Sequence, residues 1–211
     1  MKSVVFDMDG VIIKSETFHR VATTEALRLY GIEREKKPEI KLRGRPLIDS
    51  MSAIVDYYKV EDDAQTFLRK RNEIFYKSLS ENDIAMPGVL DLIKKLKAKK
   101  VKIALGTSAT RDLADFAIKK LNLETSFSAI ATFDDVLEGK PSPDIYLKAA
   151  ELLNEEPSNC IAIEDADLGI QAAKSAGMTA VGFKSPESFG ETLEQADYII
   201  NSFDEFDFGW L

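Results

Sequence analysis

From Pro87 onward the chain alternates short β-branched runs with longer amphipathic stretches, and this alternation restricts the possible folds more than any other feature. The pattern predicts helices over 87–99, 111–121, 143–153 and 168–176, and strands over 101–105, 128–131, 160–163 and 179–183. A short helix near Glu191 and a last strand at Tyr198-Ile199-Ile200 complete the series. Pro87 suits a helix entry, where a missing N–H is no loss. Strands that alternate with helices pair into a parallel sheet covered on both faces, and such sheets bind ligands beyond the carboxyl ends of their strands. The residues that directly follow each strand are therefore the candidates for chemistry.

One more strand stands at the N-terminus. Val4-Val5-Phe6 runs into Asp7-Met8-Asp9-Gly10-Val11, so two carboxylates one residue apart sit at the mouth of a buried strand. Extension would put Asp7 and Asp9 on one side, and the turn allowed by Gly10 can re-aim Asp9. In such a pair one carboxylate can attack or bind metal while the other exchanges a proton. Taken alone, Asp-x-Asp-Gly is ordinary turn chemistry. A calcium loop would need further ligands at fixed spacing, but Ile13 and Lys14 follow.

Between this strand and Pro87 no strand signal occurs. Helices are predicted from Ser15 to Tyr30, from about Asp49 to Tyr58 and from about Asp62 to Leu79, with an irregular, charged stretch over 32–48. The segment 16–81 is thus an all-helical insertion, and residues 1–15 and 82–211 form the α/β core. The insertion carries 13 Lys and Arg against 12 Asp and Glu, whereas the whole chain has net charge -8. An acidic core is a poor match for nucleic acid, whose nonspecific binding rests on many cations. No apolar run approaches a membrane span, and the N-terminus does not read as a signal peptide, so a globular, cytoplasmic protein without a membrane partner is expected. We expect a monomer. The single cysteine, Cys160, lies in a strand and is expected to be buried and unreactive.

Four groups meet at the carboxyl edge of the expected sheet. They are Asp7 with Asp9; Gly106-Thr107-Ser108; Lys140 in Gly139-Lys140-Pro141-Ser142-Pro143-Asp144; and Glu164-Asp165. Carboxylates for a hard cation, hydroxyls and N–H donors for an oxyanion, and a fixed ammonium suit a phosphate with magnesium. Phosphoryl transfer needs little beyond positioning and charge neutralisation, and an Asp can carry the group covalently.

These motifs, together with Gly169-Ile170-Gln171-Ala172-Ala173, resemble the haloacid dehalogenase-like (HAD) hydrolase superfamily, in particular its branch of β-phosphoglucomutases and phosphosugar phosphatases. The likeness runs over nearly the whole chain. It implies a doubly wound, Rossmann-like parallel core with an inserted helical cap. It implies Asp7 as the nucleophile that forms an aspartyl-phosphate, and Asp9 as general acid and then base. Mg²⁺ would be held by Asp7, the Asp9 backbone carbonyl and Asp165, with Glu164 close or ligating. Thr107, Ser108 and Lys140 would bind the phosphoryl oxygens. The implied activity is a magnesium-dependent phosphomonoester hydrolase acting on a small phosphorylated metabolite, a phosphosugar or polyol phosphate. A sugar-phosphate mutase of the β-phosphoglucomutase type is the alternative, followed by a non-enzymatic phosphate- or partner-binding protein.

Three departures or ambiguities fall in the insertion. His19 stands where this branch often has a histidine, so it either touches substrate or packs the hinge; both readings stay open. Arg43 and Arg45 are candidates for gripping a distal group, or are solvated loop charges. Mutase relatives place an arginine where this chain has Leu47, which weighs against a mutase.

Overall fold

The computed structural model describes residues 2–34, 47–188 and 190–211. The chain divides into two compact units, Met1–Ser15 with Ile84–Leu211, and Glu16–Asp83.

The first unit is built on six parallel strands: β1 (Ser3–Phe6), β2 (Ile103–Gly106), β3 (Ala129–Ala131), β4 (Cys160–Glu164), β5 (Thr179–Phe183) and β6 (Tyr198–Ile200). Their spatial order is β3-β2-β1-β4-β5-β6. The chain builds outward from β1 to one edge and then returns to its other side, so the order reverses between β1 and β4. That reversal opens the crevice where doubly wound sheets hold ligands. Helices α4 (Val89–Ala98), α5 (Arg111–Lys120), α6 (Asp144–Leu153) and α7 (Asp167–Ser175) connect the strands. Strands β1, β2 and β4 are buried along their whole length, which explains why they read as continuous apolar runs. Alanines at Ala104, Ala162 and Ala180 join Val5, Tyr146 and Ile170 in one hydrophobic cluster. Cys160 belongs to the same cluster, and burial pushes its thiol up to about 11.

Among the described residues no helix forms near Glu191. The N–H groups of Thr192 and Leu193, which a helix would turn toward carbonyls, donate instead to the Asp167 carboxylate at 3.2 and 2.6 Å. Leu193 adopts a left-handed φ of 57°, which ends any helical run there. The aromatic tail packs on the sheet: Phe203 and Phe206 are buried, Phe203 lies 4.3 Å from the Phe183 ring, and Trp210 stacks on Tyr198.

The second unit consists mainly of α1 (Ser15–Arg28), α2 (Leu47–Tyr58) and α3 (Ala64–Glu81). Ala26, Leu27, Met51, Ile54, Val60 and Phe67 make its core. Asp63 caps α3 by accepting the Thr66 N–H at 2.8 Å. Tyr30 donates to Asp62 at 2.5 Å, and Lys70 donates to both, which ties the end of α1 to α3. The chain leaves and re-enters the first unit through adjacent segments, joined by the Lys14 N–H and the Ile84 carbonyl at 3.0 Å. Arg43 and Arg45 lie outside the described residues. Among the described residues no helix is long and apolar enough to cross a membrane.

Candidate active site

Asp7 extends β1 by one residue. Its N–H donates to the Ile163 carbonyl at 3.0 Å, and Phe6 is level with Ile163 on one side and Leu105 on the other. The next step along each strand therefore sets Asp7 between Glu164 and Gly106. The chain then turns sharply. Ile12 and Ile13 donate to the Met8 carbonyl at 2.8 and 2.9 Å, and Gly10 takes a φ of 78°. A Cβ at Gly10 would come within 2.1 Å of Asp165 Oδ2, so this turn lies directly against the second acidic cluster. Only glycine meets both demands.

Lys140 reaches in from the loop before α6. Its Nζ donates to Asp7 Oδ1 at 2.5 Å, to Glu164 Oε1 at 2.6 Å and to the Gly106 carbonyl at 3.2 Å. All three ammonium hydrogens are thereby directed. Glu164, only 1% exposed, accepts four hydrogen bonds. Lys140 and the Tyr146 hydroxyl (2.9 Å) reach Oε1; the N–H groups of Asp165 (3.0 Å) and Ala166 (3.2 Å) reach Oε2. A buried carboxylate with its lone pairs this fully engaged is a fixed anchor for an ammonium. Asp165 points differently, and its Oδ2 accepts from the Ser188 hydroxyl at 3.0 Å.

Thr107 follows β2 and continues the ladder, donating its N–H to the Ala131 carbonyl at 3.0 Å. Its Oγ1 accepts the Ala109 N–H, also at 3.0 Å, which leaves the hydroxyl hydrogen to be given elsewhere. Ser108 is exposed. The adjoining loops are clamped by Asp135, which accepts from the N–H and hydroxyl of Thr132 and from Arg111.

Asp7, Glu164 and Asp165 each offer an oxygen within 4.8 Å of the others. Oxygen-only donors of this kind suit a hard divalent cation such as Mg²⁺. The charge balance agrees, since among the described residues these carboxylates and Asp9 face one ammonium, that of Lys140. Burial raises the Asp7 carboxyl well above its ordinary value; Lys140 draws it back, and Glu164 and Asp9 lift it again. Asp165 is pushed up to about 7, first by burial and then by Glu164. For Lys140, burial acts to release the proton, but Asp7 and Glu164 outweigh it and hold the ammonium charged well above the usual lysine value. A cluster in which carboxylates are driven toward protonation has room for more positive charge.

In the second unit His19 stacks on Phe75 with ring centroids 4.3 Å apart, and the Arg71 guanidinium meets its Nδ1. Burial and the Arg71 charge push His19 down to about 3, so it is neutral. Arg71 itself is 2% exposed and lowered to about 10 by burial.

The structure thus joins Asp7, Lys140, Glu164 and Asp165 directly, with Asp9, Thr107 and Ser108 at the same sheet edge. Tyr146, Ser188 and Arg71 were not found from the sequence. Tyr146 is the one with a usable signal: a tyrosine on the apolar face of a helix needs a hydroxyl partner when buried. Ser188 and Arg71 have no such mark, being common surface residue types.

The model of the haloacid dehalogenase-like hydrolases matches residues 4–183. The chain belongs to the haloacid dehalogenase-like hydrolase family. Within this family it is 33% identical over 178 residues to a fructose-1-phosphate phosphatase of Escherichia coli, covering 84% of this chain and 94% of that protein. It is 32% identical over 208 residues to a β-phosphoglucomutase of Bacillus subtilis, covering 95% and 89%. The fold matches that of the protein CbbY of Rhodobacter sphaeroides in its crystal structure with xylulose-1,5-bisphosphate. The TM-score is 0.83 at 26% sequence identity, over 97% of this chain and 96% of that one.

Proposed function

We propose that this HAD hydrolase is a magnesium-dependent phosphomonoesterase acting on a phosphorylated sugar or polyol. The observation that carries the reading is the Lys140 ammonium, fixed by buried Glu164 and aimed at Asp7 Oδ1. An ammonium so placed would lie beside any phosphoryl group that approaches Asp7, and would offset the like-charge repulsion that otherwise opposes the attack.

Asp7 is the nucleophile. Its carboxylate oxygen bonds to phosphorus as the bond from phosphorus to the leaving oxygen breaks, giving an aspartyl-phosphate and the free alcohol. Asp9 gives its proton to that leaving oxygen. It then takes a proton from water, which attacks phosphorus, breaks the bond to Asp7 and releases inorganic phosphate. Thr107, Ser108 and Lys140 hold the phosphoryl oxygens. Asp7, the Asp9 carbonyl and Asp165 would hold Mg²⁺, with Glu164 anchoring Lys140; the ion supplies charge neutralisation at the transferring group. The helical unit 16–83 would serve as the cap that excludes water and reads the leaving group, with His19, Arg43 and Arg45 as its candidate contacts. The substrate class rests on relatives named as fructose-1-phosphate phosphatase and phosphorylated carbohydrates phosphatase.

The similarity to a β-phosphoglucomutase keeps a second reading, in which the aspartyl-phosphate is handed to a sugar. Leu47, 43% exposed at the start of α2, offers no charge for a second phosphate and favours the phosphatase. Phosphate release from a panel of sugar, polyol and nucleotide monophosphates, with and without Mg²⁺, tests the proposal. Magnesium-dependent release from a few related sugar or polyol phosphates is expected. No release by folded, Mg²⁺-binding protein would overturn it and make sugar-phosphate interconversion, with a bisphosphate activator, the next assay.

A further inference from the structure

We propose that Tyr146 is a positioning residue of this site, one that keeps Lys140 aimed at Asp7 by sharing the Glu164 oxygen that competes for it. The inference rests on the phosphoryl-transfer reading above. Tyr146 is completely buried, six residues beyond Lys140 on the helix that the lysine loop enters. It touches both members of the ion pair. Its hydroxyl donates to Glu164 Oε1 at 2.9 Å, and Lys140 Nζ lies 4.9 Å from the centre of its ring.

Glu164 Oε1 and Asp7 Oδ1 hold the ammonium at 2.6 and 2.5 Å, so the lysine is shared between two carboxylates in a place with little water. Such a tie is easily broken in favour of either side, because Coulomb forces are strong where solvent is excluded. The remaining Glu164 oxygen is already engaged by two backbone N–H groups. The Tyr146 hydroxyl is therefore what draws charge from the oxygen that faces Lys140. Without it, Oε1 has Lys140 alone, the ammonium swings toward Glu164, and less of its charge is available as negative charge moves onto the transferring oxygens. The ring face limits the swing on one side through a cation–π contact, but has no means of relaxing the pull of Glu164.

Tyr146→Phe keeps the ring and volume and removes only the hydroxyl, leaving no donor stranded. With p-nitrophenyl phosphate and saturating Mg²⁺, kcat is expected to fall about 10-fold, the size of one hydrogen bond to a charged group, with KM within about twofold. The dissociation constant of orthovanadate, a mimic of the transferring group, is expected to weaken by a similar factor. In a Lys140→Met background the same substitution is expected to have no further effect, since a residue that acts through Lys140 has nothing left to position. Unchanged kcat and vanadate affinity in Tyr146→Phe would overturn the proposal, as would equal losses in the two backgrounds, the mark of a merely structural role. If Lys140→Met matched wild type in turnover and vanadate binding, the phosphoryl-transfer reading would fall, and this inference with it.

Discussion

Lys140 Nζ is held 2.5 Å from Asp7 Oδ1, although 133 positions separate the two residues in the chain. The lysine arrives on the loop between β3 and α6, and the aspartate on the first strand. Between them lie the whole helical unit and then α4, β2, α5 and β3, so only the assembled sheet brings them together. The pair is buried, and Lys140 would be hard to keep there without Glu164 beside it.

Asp7→Asn is expected to lower kcat by roughly four orders of magnitude or more, because it removes the attacking oxygen. The fold should be retained. In metal-free buffer Tm is expected to stay the same or rise, since the substitution relieves a crowded acidic cluster and Lys140 keeps Glu164. Turnover near wild type would remove Asp7 as nucleophile; thermal denaturation checks the second half.

The cluster also predicts how stability follows pH. In the native state Asp165 titrates at about 7 against an ordinary 3.8, and Asp7 moves the same way. Over that window these two carboxyls hold more protons in the native state than in the unfolded chain, so their contribution to stability falls as pH rises from about 4 to about 7, while His19, pushed down to about 3, contributes in the opposite direction. Protein stripped with a chelator is expected to melt higher near about pH 5.5 than near about pH 8 through these groups. Added Mg²⁺ should raise Tm more at the higher pH, where the carboxylates are free of protons. Equal magnesium shifts at both pH values would argue against Asp7 and Asp165 as ligands.

Gly169→Ala weighs two effects of opposite sign. Alanine favours α7 by about 1 kcal/mol, but its Cβ would sit 1.8 Å from Glu164 Oε1. Displacing a buried, paired carboxylate costs roughly 3–5 kcal/mol. The net expectation is a loss of about 2–4 kcal/mol in chemical denaturation, together with a large fall in kcat as Lys140 loses its anchor. A stabilised, active variant would show that α7 can move away from β4.

Ser188→Ala removes the hydroxyl that donates to Asp165 Oδ2. Partners of metal ligands typically contribute a factor of about 10–100 in affinity, so Mg²⁺ titrated by calorimetry is expected to bind about 10-fold more weakly or worse. Ser188→Thr should restore it. Unaltered affinity in the alanine variant would mean that Asp165 is oriented by its backbone alone.

The alternating pattern after Pro87 was enough to infer a parallel sheet, because a strand buried on both faces must be apolar throughout and each crossover must be a helix. The motifs at the strand ends likewise gave Asp7, Asp9, Thr107, Lys140, Glu164 and Asp165, since residues at the carboxyl edge cannot avoid one another once the sheet forms. The helix read near Glu191 failed because its backbone N–H groups found a carboxylate, Asp167, from another element. Propensity cannot see such a partner. The separate duties of Glu164 and Asp165 were equally hidden: adjacent in sequence, they project differently from the end of β4, one into a web of four donors and the other toward Ser188 and the Gly10 turn. Sequence alone determined which chemical groups gather at the sheet edge, because the residues that follow the strands of a parallel sheet lie on one edge whatever the strand order. Which oxygen faces which ammonium, and that a tyrosine hydroxyl stands between them, was decided only by tertiary packing, where distances of a few ångströms depend on elements far apart in the chain.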